Sequence, residues 1–313
     1  MIGLPFVYAV GGAIFLAYAA MSATDATKPK RWGNAAFYAL LATSFWFGDL
    51  LGDSGNGLLV LGLVLVAGLK QMGRGARATT SADERREEAA RRGNRLFLPA
   101  LIIPAVALVG TLAFKRLPEW FDVKQVTLVA LTMGVLLALA ACLAWLRDRP
   151  LVPLAEGTRL MDSVGWAAVL PQMLASLGAV FALAGVGEVV GGLAEGVIPD
   201  GSRFGAVAFY ALGMAGFTMI MGNAFAAFPV MFAGVGMPVL VGIWSGDPVR
   251  VAAIGMLAGF CGTLMTPMAA NFNLVPAALL ELKDQNAVIK AQVPTAIPLL
   301  IANVLLIYFL AFP

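Results

Sequence analysis

Two stretches of the chain combine polar, uncharged side chains with helix-breaking residues in otherwise apolar sequence, and this is where binding chemistry is expected. The first is Met221-Gly222-Asn223-Ala224. The second runs from Thr263 through Thr266 and Pro267 to Asn271 and Asn273. Glycine and proline inside an apolar helix release backbone N–H and C=O groups that lipid cannot satisfy, so such breaks persist only when buried in protein or facing a polar cavity. A half-helix N-terminus then offers N–H groups to an anion, and unwound carbonyls can hold Na⁺. The site so formed would take a small carboxylate through backbone dipoles, amides and hydroxyls, without a buried arginine. The alternative is that Gly222 and Pro267 only kink helices for close packing, with Asn223 and Asn271 as interhelical glue.

Three further places carry polar groups in apolar surroundings. Glu188 lies in a glycine-rich segment, Leu183 to Gly196, that fits a hairpin dipping into the membrane. An ionisable residue there is a candidate for cation coupling; an interfacial, solvated carboxylate is an equally open reading, and Glu195 is expected at the interface. Gln172 and Ser176, four apart on one helix face, either line a cavity or pair with a neighbouring helix. Asp49 follows Trp46 and Phe47, an aromatic pair that places it at the outer interface. The glycine spacing at 185–196 does not meet the dinucleotide-binding pattern, and no P-loop occurs.

The elements that must position these residues are membrane helices. Of 313 residues 60% are hydrophobic and 12% charged, against roughly 25% charge in a soluble domain. The expected fold is an all-α polytopic membrane protein with eight to ten transmembrane segments, including discontinuous helices and a re-entrant hairpin. With no histidine, and with Cys142 and Cys261 both inside apolar runs, zinc, haem, disulfide and most hydrolase chemistry fall away. No enzyme and no bound cofactor are expected. The net charge of +3 comes from basic residues between apolar spans, which excludes a nucleic-acid surface and reports topology instead.

Spans of about 20 apolar residues read as Gly3–Ala23, Ala35–Leu51, Gly57–Met72, Leu96–Phe114, Gln125–Leu146 and Val164–Val186, with a last one at Ala296–Phe312. Residues 1–163 form an N-terminal set of about five spans, with a charged loop at 70–95 facing the cytoplasm. Residues 164–313 hold the transport-site half. The first, third and fifth loops carry fourteen Lys and Arg residues and the second and fourth three, which puts the N-terminus outside. Ser81 is expected to cap a cytoplasmic helix to Arg95 in which Glu84 and Glu88 pair with arginines three or four positions on. In the second half, Phe204–Ser245 and Val251–Leu280 contain no charge over 42 and 30 positions. Each is longer than one straight crossing needs, so each is expected to be a broken helix.

The segments Phe181–Val189 (FALAGVGEV), Met221–Met231 (MGNAFAAFPVM) and Gly262–Asn273 (GTLMTPMAANFN) resemble a bacterial family of membrane proteins of about this length. That family is described as one subunit of a two-component 5-oxoproline (pyroglutamate) transporter and is placed in the ion-transporter superfamily. The resemblance implies a secondary active transporter subunit in the bacterial inner membrane. It further implies a smaller membrane subunit as partner, a small carboxylate substrate and coupling to Na⁺ or H⁺. By motif match, substrate and cation would meet at Gly222, Asn223, Thr263, Thr266, Pro267, Asn271 and Asn273. Fully formed carriers of that superfamily hold two related halves in one chain. Here the internal echo is limited to Ala215-Gly216-Phe217 against Ala258-Gly259-Phe260, which favours a partner. The competing reading is a membrane scaffold or assembly subunit without its own translocation site.

Overall fold

The computed structural model describes residues 2–75, 81–147, 149–199 and 201–312; the side chains of 82, 170–172, 174, 175 and 195 lie outside the described set. Arg77 of the charged loop and Asp200 therefore fall outside it, as do the Gln172 and Glu195 side chains. Among the described residues the regular elements are helices, as lipid demands of a chain whose backbone polar groups must be satisfied within each segment. The chain divides into two compact units, Met1–Gly165 and Trp166–Pro313.

Seven described helices are long and apolar enough to cross a membrane, eight with one bent pair taken as a span. In the first unit α1 (Leu4–Thr24), α4 (Leu98–Phe114) and α5 (Val126–Leu146) fall within a few residues of the expected spans. α2 runs from Arg31 to Gly68, and 38 residues at 1.5 Å each give about 57 Å, nearly twice the hydrocarbon core. Gly52 (φ 60°, ψ −173°) breaks it. Leu40 meets Gly62 and residues 30–34 meet 70–73, so the two arms fold back antiparallel, as the two expected spans require, and the apolar passes among the described residues number nine. The charged helix α3 (Ala82–Arg92) starts at a full Ser81–Glu84 capping box, and Glu88 pairs with Arg91 and Arg92.

Loop contacts confirm the alternation of ends. Lys30 Nζ donates to the Lys70 carbonyl, Asn34 exchanges two 2.9 Å bonds with Gly73, and Arg74 donates to the Ser163 carbonyl at 3.3 Å. The first, third and fifth loops thus share one end of α1. At its other end Ile2 pairs with Trp120 and Asp122 of the fourth loop, at 2.7 and 3.1 Å.

Lys28, one of the basic residues of the first loop, is buried. Its ammonium lies 2.5 Å from the Asp162 carboxylate, with side-chain exposures of 4% and 3%, and also donates to Ser22 Oγ at 3.0 Å. Asn34 Nδ2 and Tyr38 OH donate to Asp162 Oδ1 at 2.6 and 2.9 Å. Asp162 comes from the amphipathic helix α6 (Val152–Val164), so the pair ties the start of the α2 hairpin to α6 and α1. A buried ion pair with its remaining groups hydrogen-bonded is tolerated; one half of it alone is not.

In the second unit the expected span Val164–Val186 is not one helix. A 3₁₀ turn at Gly165–Ala168 precedes α7 (Leu170–Leu183), whose 14 residues reach only about 21 Å. At Gly185 (φ 70°) the chain bends by 69° into α8 (Val186–Val197), a broken span or re-entrant segment. The stretch Phe204–Ser245, expected as one broken helix, is instead two spans: α9 (Arg203–Met221) and α10 (Ala224–Met231, continued by a π-helix Phe232–Ile243) are each long enough to cross a membrane. Gly213 lies against Met231 and Gly236 against Tyr210, so the break at Gly222 folds them back antiparallel. The other charge-free stretch, Val251–Leu280, is interrupted as expected, between α11 (Pro248–Thr263) and the short α12 (Leu274–Leu279). The last helix, α13 (Ala287–Leu310), begins nine residues before the expected start and runs through Pro294 and Pro298.

Asp162→Ala leaves the Lys28 charge buried and unpaired, and a loss of about 3–5 kcal/mol is expected. Thermal unfolding of the purified variant measures it; an unfolding temperature equal to that of the parent chain would show that the pair does not anchor the unit.

Candidate functional site

The two breaks of the second unit lie side by side because α9 and α11 run parallel. A Cβ placed on Gly255 would meet Tyr210, one on Gly259 would meet Met214 and Thr218, and one on Gly262 would run into the Ala215 carbonyl. The contacts advance together along both helices, so their last turns lie within about a turn or two of each other, and the unwound chain after Thr263 continues alongside the end of α9. Only glycine permits so close an approach of two helix backbones.

At that level α9 ends on Gly222, in the left-handed conformation (φ 72°), with its N–H donating to the Thr218 carbonyl at 2.7 Å. α11 ends at Thr263, and the chain unwinds through 264–273. Thr266, 4% exposed, joins the two breaks: its Oγ1 donates to the Met219 carbonyl at 2.8 Å and accepts from the Met268 N–H at 3.2 Å. Asn273, fully buried, donates both Nδ2 hydrogens to carbonyls of the second break, Thr263 at 2.8 Å and Thr266 at 2.7 Å. The Thr263 hydroxyl turns back to the Phe260 carbonyl at 2.6 Å. The carbonyls freed by unwinding are thus met by side chains from the breaks themselves, as a low-dielectric setting requires.

α10 starts at the same place with the opposite polarity. Asn223 is its N-cap, Oδ1 accepting from the Phe225 N–H at 2.9 Å. Asn223 is half-buried, Phe225 exposed and Ala224 buried, so the helix start is partly accessible. Two helix C-termini, carrying partial negative charge, and one N-terminus, carrying partial positive charge, therefore meet at one level. Such an arrangement can hold a carboxylate at the α10 start and a cation at the ends of α9 and α11.

The expected site residues fall into three groups. Gly222, Asn223, Thr263, Thr266 and Asn273 gather at the paired breaks; Pro267 and Asn271 are exposed on the unwound stretch. The amides differ in their engagement: both Asn273 hydrogens are used on backbone, whereas Asn271 makes no side-chain hydrogen bond among the described residues. Glu188 is exposed and lines a separate half-open cleft of about 470 Å³, bounded by Gly191 on α8 and by Pro229, Gly234 and Pro238 on α10. Ser176 is exposed on α7, its hydroxyl donating to the Met173 carbonyl at 2.8 Å. The structure does not bring Ser176 or Glu188 to the breaks.

Two participants escape the sequence reading. The Met219 carbonyl has no side-chain signature. Thr218 stands in an unremarkable helical turn, four residues before the visible break at Gly222; its hydroxyl is fully buried.

Thr266→Val removes the side-chain donor to the half-buried Met219 carbonyl, a loss of about 0.5–1.5 kcal/mol. Thr266→Ser should restore most of it. Unfolding of the purified variants tests this, and a valine variant as stable as the parent chain would show that the breaks are held by other contacts.

No curated protein and no solved structure matches the chain. A family described as protein of unknown function, DUF979, matches residues 5–312. That match takes in both units, the buried Lys28–Asp162 pair and the paired breaks, and the chain belongs to this family of polytopic membrane proteins.

Proposed function

We propose that this chain is a subunit of a secondary active transporter for a small carboxylate, coupled to Na⁺ or H⁺, and not an enzyme. The observation that carries this reading is the meeting of two parallel helix C-termini and one helix N-terminus at a single level inside an apolar unit. Charge-free sites of this polarity suit an anion and its coupling cation together. On the resemblance of 181–189, 221–231 and 262–273, the substrate is 5-oxoproline. Its carboxylate would meet the α10 start at Asn223, and its lactam N–H and C=O would meet amide and hydroxyl groups such as Asn271.

The same reading supplies a smaller membrane subunit as partner, since the chain carries one pair of breaks rather than two related halves. It sets the chain in a bacterial inner membrane with the N-terminus outside. The end shared by the first, third and fifth loops would then be cytoplasmic, in keeping with its fourteen basic residues. Glu188, facing its own cleft, is the group that would serve H⁺ coupling.

The test is uptake of labelled 5-oxoproline into proteoliposomes holding this chain alone, its smaller partner alone, or both, under imposed Na⁺ or H⁺ gradients. Uptake with both subunits, driven by one gradient, is expected; none under any gradient, with both proteins folded, would favour a scaffold role. Asn223→Ala and Asn271→Ala should each weaken apparent substrate affinity about tenfold or more, the worth of a hydrogen bond to a charged or polar ligand group, at unchanged membrane levels. Undiminished uptake in both would remove them from the site.

A further inference from the structure

The paired breaks contain two buried oxygens that the protein itself does not satisfy. Asn273 uses both amide hydrogens on the Thr263 and Thr266 carbonyls, which fixes the orientation of the amide and leaves Oδ1 facing away from them. That oxygen is fully buried and has no hydrogen-bond partner among the described residues; the Thr218 hydroxyl oxygen is in the same condition. Both belong to the junction of α9 and α11. Thr218 precedes Met219, whose carbonyl accepts from Thr266, and Asn273 donates to the carbonyl of that same Thr266. An unmet buried oxygen costs about 1–3 kcal/mol, and two in one junction call for an occupant.

We infer that this junction binds an alkali cation, with Asn273 Oδ1 and Thr218 Oγ1 as its side-chain oxygens. Two oxygens can be met by a hydrogen-bond donor such as water or by a cation, and the partial negative charge at the last turns of α9 and α11 favours a cation. A divalent ion is disfavoured: such ions are held by carboxylates, and neither 204–245 nor 251–280 contains one. A proton is disfavoured too, for those segments supply no carboxylate or histidine to take it up. A monovalent metal ion held by neutral oxygens matches what is left. The inference rests on the carrier reading only in making this ion the coupling ion, which would settle the choice between Na⁺ and H⁺ against Glu188.

The test needs no substrate. The full-length chain in lipid nanodiscs is unfolded thermally in NaCl, KCl or N-methylglucamine chloride at constant ionic strength. Ligand linkage predicts an unfolding temperature that rises with NaCl or KCl concentration above the N-methylglucamine control. Asn273→Ala should abolish the rise, although it also strips two carbonyls of their donor. Thr218→Val keeps the shape and removes an oxygen that holds no protein partner, so it should unfold normally in N-methylglucamine while shifting the alkali midpoint about tenfold upward. Equal stability in all three salts, as expected if only water meets these oxygens, would overturn the inference, as would a parental midpoint in Thr218→Val. A chain that shows the alkali response and transports nothing would fail the carrier reading alone; one that transports without any alkali response would fail this inference alone.

Discussion

Everything in the second unit depends on one constraint: a backbone carbonyl that leaves a helix inside an apolar unit must be met by something other than water. The breaks at Gly222 and after Thr263 release such carbonyls, and the chain meets them from within. Thr266 reaches across to Met219 at 2.8 Å, and Asn273 spans Thr263 and Thr266 at 2.8 and 2.7 Å. These three bonds let two unwound segments exist side by side, and they also fix where the helix ends point. The parallel course of α9 and α11, permitted by glycine at 255, 259 and 262, turns two separate interruptions into one polar level.

The first unit meets a different constraint in a similar way. Its buried charge, Lys28, is compensated by Asp162 from a helix far along the chain, with Asn34 and Tyr38 completing the carboxylate's shell. The pair secures the end of the unit where the first, third and fifth loops meet. The Lys28–Asp162 contact is fully paired, which suits an anchor, whereas the junction of α9 and α11 retains two oxygens without partners among the described residues, which suits a site.

Sequence reading reached the spans of α1, α4 and α5 because an apolar run of membrane length has few alternatives. It also reached the interruptions at Gly222 and after Thr263, from glycine, proline and asparagine in charge-free sequence, but took Phe204–Ser245 for one broken helix where a turn at Gly222 joins two antiparallel spans. It stopped short where pairing decides. That Lys28 is buried depends on Asp162, 134 residues away, and no local pattern announces such a partner. That Thr218 belongs to the site follows from the parallel register of α9 against α11, which periodicity does not encode. The start of α13 at Ala287, nine residues before the expected one, takes in Lys290 and Gln292, polar positions that hydropathy does not count toward a span. The span expected at Val164–Val186 failed because hydropathy does not register the 3₁₀ turn that begins at Gly165 or the bend at Gly185.

The central claim is that the level where α9, α10 and α11 meet is reached by solute from water and is not merely packed. Accessibility of a cysteine at position 223 tests it most directly, in a background with Cys142→Ser and Cys261→Ala and with the proposed smaller subunit present in the membrane. The account predicts that Asn223→Cys reacts with a membrane-impermeant polar thiol reagent and that 5-oxoproline slows the reaction. Complete protection in the folded protein, with full labelling after denaturation, would contradict it.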